Sequence, residues 1–163
     1  MKKNLFLTAI ITAALLSSSI CFAQTKSSAV SDEKPRLVVF VVGLESNQVS
    51  DYLTNLISNN LSKKYTIIPR SEAVKKKMQE LKEYEDAGHI DDRQLIEWGR
   101  QHNVSILCLV TVAQVEEYMF SAQLTDVKTN TLIGNAEYEI PSLSSDDLKK
   151  AASALAVQLQ RVR

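Results

Sequence analysis

The 163 residues carry 19 basic and 19 acidic side chains, a formal net charge of zero. That balance argues against a nucleic-acid binder driven by bulk charge. The length is one domain's worth of chain, enough to bury a core of its own.

Lys2 and Lys3 precede the apolar stretch LFLTAIITAALL, and SSSICFA supplies small and polar residues after it. This is the pattern of a secretory signal peptide, residues 1–23, cut after Ala23. No other stretch approaches about 18 apolar residues, so no transmembrane segment is expected in the mature chain. Ile20 stands before Cys21 where a lipid-attachment site wants a small residue, which favours soluble export to the periplasm over an outer-membrane lipoprotein. Loss of Lys2 and Lys3 leaves 17 basic and 19 acidic groups, a formal net charge of −2. It also leaves a single cysteine, Cys108, so no internal disulfide can form. Residues 24–35, QTKSSAVSDEKP, read as a flexible tether, and residues 36–163 as the folded domain.

The domain opens with RLVVFVV, apolar in both alternating sets, which predicts a strand covered on both faces. Gly43 follows, and Ser50 stands seven positions on, the spacing of a phosphate-binding loop. The signature needs a second glycine at 48 and a lysine at 49, where this chain has Gln48 and Val49. Without the lysine, nothing carries the charge that meets the β and γ oxygens, so no nucleotide is expected.

Val49, Tyr52, Leu53, Leu56, Ile57, Asn60 and Leu61 recur at helical steps over residues 47–63. KYTIIP is a short β-branched strand ended by Pro69. Ser71 suits the N-cap of a second helix whose buried stripe is Val74, Met78 and Leu81. Its lysines, Lys75, Lys76, Lys77 and Lys82, read as a solvated face paired with Glu72, Glu80, Glu83 and Glu85. Gly88 breaks this helix, and Asp91 caps the next, with Gln94 placed for a capping box. Leu95, Ile96, Gly99 and His102 share a face of that helix. His89, Asp91 and Asp92 are too few ligands for a structural zinc and are explained by capping, so no metal is expected.

The last third is rich in β signals. VSILCLVTVAQV is a long strand, and its Cys108 reads as a small core residue. EYMFSAQLTDV and LIGNAEYEI alternate and are joined by the turn KTNT. Tyr118, Phe120, Ala122 and Leu124 fall on one face, and Leu132, Ala136, Tyr138 and Ile140 do so on the partner strand. Glu137 and Glu139 look out to solvent on the opposite face. A final helix starts at Ser144, with Asp147 positioned to complete its capping box. The fold class expected is α/β (α+β), a mixed sheet of about five strands packed with about four helices.

This order, with RLVVFVVG, YTIIPRSEAVKKKMQELKEYEDAGHID, LIEWGRQHNVSILCLVTV and FSAQLTDVKTNTLIGNAEYEI on it, resembles the CsgG/LpoB/TolB amino-terminal superfamily of bacterial envelope proteins. The likeness covers about residues 36–160, with the D-V-K-T turn as its most specific piece. It implies a non-enzymatic envelope protein of the kind that activates peptidoglycan synthases, joins Tol-type complexes or builds secretion channels. No inserted strand pairs of transmembrane length occur, which sets aside a CsgG-type pore. No propeller follows, which sets aside a full TolB. The expectation is a bare domain on a tether, acting as a periplasmic adaptor for another envelope protein and using no cofactor.

The contacts expected for such an adaptor are Arg70, the Lys75–Lys77 helix face with Lys76 between them, and the Glu137/Glu139 face of the hairpin. Arg70 follows Pro69 at a strand end, where its guanidinium could clamp a carboxylate of a partner or of the domain itself. An enzyme would need a nucleophile, base and orienting group, and no such constellation stands out, so no catalytic residue is assigned. A small-ligand or glycan-binding module is the alternative, and Trp98 is the one aromatic that could face such a ligand.

Overall fold

The apolar run RLVVFVV forms strand β1 (Arg36–Val42), and Leu37 to Val42 are all buried, odd and even positions alike. The computed structural model describes residues 33–86 and 91–161. After β1 come α1 (Asn47–Leu61), β2 (Thr66–Ile67), α2 (Glu72–Asp86), α3 (Asp92–Gln101), β3 (Ile106–Gln114), β4 (Tyr118–Asp126), β5 (Thr131–Ile140) and α4 (Ser145–Gln160). The sheet order is β2-β1-β3-β4-β5. β1 pairs in parallel with β2 and β3, and β4 and β5 continue the sheet in antiparallel pairs. The class is α/β, with a mixed five-stranded sheet and four helices among the described residues, as the sequence pattern predicts.

Strand alternation sends β1 into two cores. Leu37, Val39 and Val41 face α1 and α4, where they meet Leu53, Ile57, Cys108, Phe120, Leu155 and Leu159. Val38, Phe40 and Val42 face α2 and α3, where they meet Val74, Met78, Leu81, Leu95 and Ile96. The first core continues to the far edge of the sheet through Ala122, Leu124, Ala136 and Ile140. The second stops at β3, because among the described residues no third helix follows α2 and α3 on that side. Met119 and Leu132 beyond it are 41% and 58% exposed.

Four caps fix helix starts, and at α1 Ser46 Oγ accepts from Val49 N–H at 3.4 Å. Ser71 Oγ accepts from Val74 N–H at 3.4 Å, and the Asp91 carboxylate accepts from Arg93 N–H at 2.9 Å. At α4, Ser144 Oγ accepts from Asp147 N–H at 3.2 Å. The reciprocal half of that box takes a variant form. The Asp147 carboxylate accepts from the hydroxyls of Ser142 and Ser144, at 2.7 and 2.8 Å, while Ser144 N–H goes to Ser142 Oγ.

Two residues stand elsewhere than periodicity places them. A register shift between Leu124 and Thr125 sets Leu124 opposite Gly134 but Thr125 opposite Leu132. One extra residue, Ile133, reverses the parity of the strand, so Leu132 lies on the opposite face from Ala136, Tyr138 and Ile140. His102 is exposed at the C-cap of α3 and does not join the buried face of Leu95, Ile96 and Gly99.

Candidate functional site

Two regions hold the residues singled out in the sequence. The first lies at the carboxyl ends of β1 and β2, where α1 and α2 depart. Such ends are where open α/β sheets form crevices. Arg70 pairs there with Asp51 of α1. Its Nε is buried with no acceptor among the described residues. Arg70, Asp51, Asn47, Lys75 and Lys82 line a cleft of about 250 Å³. Each cation in it already has a partner: Arg70 has Asp51, Lys75 has Glu72 at 2.8 Å, and Lys82 donates to Asn47 Oδ1 at 2.6 Å. These pairs leave little uncompensated positive charge to draw an anion.

Lys77 departs from the solvated face that the sequence predicts for it: it is only 6% exposed, and its ammonium reaches Glu80 at 3.2 Å. Position 77 falls three residues after Val74 and four before Leu81, inside the buried stripe, so its stem packs while its head escapes to Glu80. Lys75 and Lys76 are exposed.

The phosphate-loop imitation dissolves in the same region. Ser50 is buried and its hydroxyl donates to the Val41 carbonyl at 3.2 Å, which ties α1 to β1. Gly43 has φ +84, and a β-carbon there would lie 2.0 Å from the Val112 carbonyl oxygen. That glycine lets the chain leave β1 tight against the neighbouring strand β3.

The second region is the half of the sheet that no described helix covers. Met119, Ser121 and Gln123 of β4 and Asn135, Glu137 and Glu139 of β5 share it, with Met119 opposite Glu139 and Ser121 opposite Glu137. Both glutamates are exposed. Where α3 borders this face, Leu95, Ile96, Leu107, Leu109, Thr125 and Leu132 line a groove of about 280 Å³, with Asp92 on its rim. Sequence alternation points to Glu137 and Glu139 but misses the groove, which needs the β5 bulge and the placement of α3.

Trp98 is not a free platform. Its ring stacks on His102, with centroids 4.4 Å apart, and meets Phe40 edge-on at 5.4 Å. His102 Nδ1 lies 2.9 Å from the Trp98 carbonyl oxygen. Cys108 is fully buried, and burial pushes its thiol pKa up to about 12. Burial likewise raises Tyr65, with the nearby Cys108 adding to the shift. Among the described residues no group of three or more His, Cys, Asp or Glu side chains gathers in a way that could hold a metal ion. His89 lies outside the described residues. No helix among them is long and apolar enough to cross a membrane.

No protein-family model matches the sequence, and no curated protein matches it either. Solved structures do match. The fold is similar to that of TolB from Acinetobacter baumannii, with a TM-score of 0.51 and 12% identity over 80% of this chain. This chain spans 29% of the length of that TolB chain. The LpoB C-terminal domain from Salmonella enterica matches with a TM-score of 0.47 and 17% identity, covering 68% of this chain and 84% of that one. Lipoprotein GNA1162 from Neisseria meningitidis matches at 0.47 and 13%, covering 77% of this chain and 96% of that one. The architecture is TolB-like, the fold that the sequence resemblance implies.

Proposed function

We propose that this chain is an exported, non-enzymatic accessory protein of the bacterial cell envelope that works by binding another envelope protein. Residues 1–23 direct export, residues 24–35 tether, and residues 36–163 bind. The observation that carries this is the half-covered sheet, a broad surface bearing an apolar groove and exposed carboxylates. Interfaces of this kind use a few apolar anchors inside a polar rim. The TolB-like fold and the family resemblance support an envelope setting. An activator of a peptidoglycan synthase and a component of a Tol-type or secretion complex are the two roles it suits.

Catalysis has little support among the described groups. The Cys108 thiol is buried and protonated, and the His102 ring is committed to Trp98. A glycan site would want an open aromatic platform, and the groove under α3 is lined by aliphatic and polar side chains only.

The test is photo-crosslinking in living cells, with a photoreactive residue placed in turn at Ser121, Asn135, Lys76 and Val157. Trapping one defined envelope protein from at least one position supports the adaptor role. A chain that crosslinks to nothing at any of them, or that stays in the cytoplasm, sinks it.

A further inference from the structure

We propose that the open face of β4 and β5, together with the groove beneath α3, is the seat of a cationic amphipathic helix from the partner protein, an inference that rests on the adaptor role above. Neighbouring strands are about 4.8 Å apart and a helix is about 10 Å across, so two strands that no described residue covers on this face leave a berth one helix wide. α2 and α3 fill the corresponding space over β1 and β3. Strands of nine and ten residues run about 30 Å, the length of a helix of about 20 residues.

The chemistry of the face selects the occupant. Its apolar features stand at its two ends: the groove with Leu132 at one, and Met119 opposite Glu139 at the other. Its ionisable side chains on the strands are Glu137 and Glu139, and Asp92 adds a third carboxylate at the groove rim. The outward positions of β3, β4 and β5 that share the face hold no lysine or arginine. A segment with aliphatic anchors flanked by lysine or arginine complements that pattern. A second copy docked face to face does not, because it would set carboxylates against carboxylates. Addition of a strand along β5 is also obstructed. α4 lies beside that strand, and Gln158 Nε2 already donates to the Glu137 carbonyl at 3.0 Å.

The probe is an 18-residue helical peptide built of leucine and lysine, compared with its leucine–glutamate counterpart. It is titrated into the full exported chain and followed by methyl and amide NMR. The expected result is saturable binding of the lysine peptide, with shifts concentrated at Met119, Leu132 and the amides of β4 and β5. E137K/E139K should weaken it at least tenfold while circular dichroism stays unchanged. Leu132→Asp separates a shaped seat from bulk attraction: it adds negative charge but spoils the groove. A seat predicts weaker binding, and L132D binding more tightly overturns the proposal. So do shifts centred elsewhere, equal binding of the glutamate peptide, or an undiminished E137K/E139K variant. Should these results fail while photo-crosslinks at Lys76 or Val157 still trap an envelope protein, the adaptor role stands on another face.

Discussion

Gly43 and Val112 lie so close together that a β-carbon on the glycine would sit 2.0 Å from the Val112 carbonyl oxygen. The backbone of Gly43 also has φ +84, a conformation that disfavours any residue with a β-carbon. Both costs fall on the link that carries β1 into α1. Gly43→Ala should therefore destabilise the fold by at least about 2 kcal/mol, read from the urea midpoint. A variant within about 0.5 kcal/mol of wild type would show that this close approach relaxes freely.

Asp147 gives the α4 cap a pH dependence. Hydrogen bonds from Ser142, Ser144 and Lys150 hold its carboxyl at about 2, below the ordinary 3.8. A carboxyl depressed in the folded state adds stability that is complete above the unfolded-state value and is lost as pH falls through the folded one. The loss should therefore run from about pH 4 down to about pH 2. Asp147→Asn should lower Tm at pH 7 and leave it nearly unchanged at pH 2. Equal losses at both pH values would assign the effect to packing instead.

Cys108 should be silent in the native protein. Its thiol is fully buried with a pKa of about 12, so almost no thiolate exists near neutrality. Modification by an aromatic disulfide reagent should proceed only at the rate of opening and should accelerate with urea. Fast stoichiometric labelling in buffer alone would place the sulfur at the surface.

Much of the fold is legible in the sequence for identifiable reasons. β1 is apolar from Leu37 to Val42 because helices cover both of its faces, and the caps at Ser71, Asp91 and Ser144 lie where short polar side chains precede helical periodicity. Leu132 is misplaced by simple alternation because one extra residue changes the parity of β5. The clue to it is Gly134, an isolated glycine within a strand pattern. The groove is not legible at all. Its walls come from α3, β3, β4 and β5, and nothing local in any of them says that α3 stops short of the hairpin. Arg70 is half legible: its place after Pro69 predicts a carboxylate partner, but only the packing of α1 identifies it as Asp51.

The three adjacent lysines of α2 should behave as two classes. Lys75 and Lys76 are exposed, and the Lys75–Glu72 pair lies in solvent, where such pairs contribute little. Their reversal, K75E/K76E, should cost within about 0.5 kcal/mol per site. Lys77 is different because its stem fills the stripe between Val74 and Leu81 and its ammonium answers Glu80. Lys77→Glu would bury a carboxylate beside another carboxylate. Since Glu80 is 40% exposed and partly screened, a cost of about 2–3 kcal/mol is expected. Lys77→Met keeps the stem packing and should stay within about 1 kcal/mol of wild type. Urea unfolding of the three variants checks this order. It also decides how partner binding is to be tested on α2, because a reversal of all three lysines would mix lost stability with lost surface charge. If K77E unfolds at the wild-type midpoint, the side chain lies in solvent and belongs with Lys75 and Lys76.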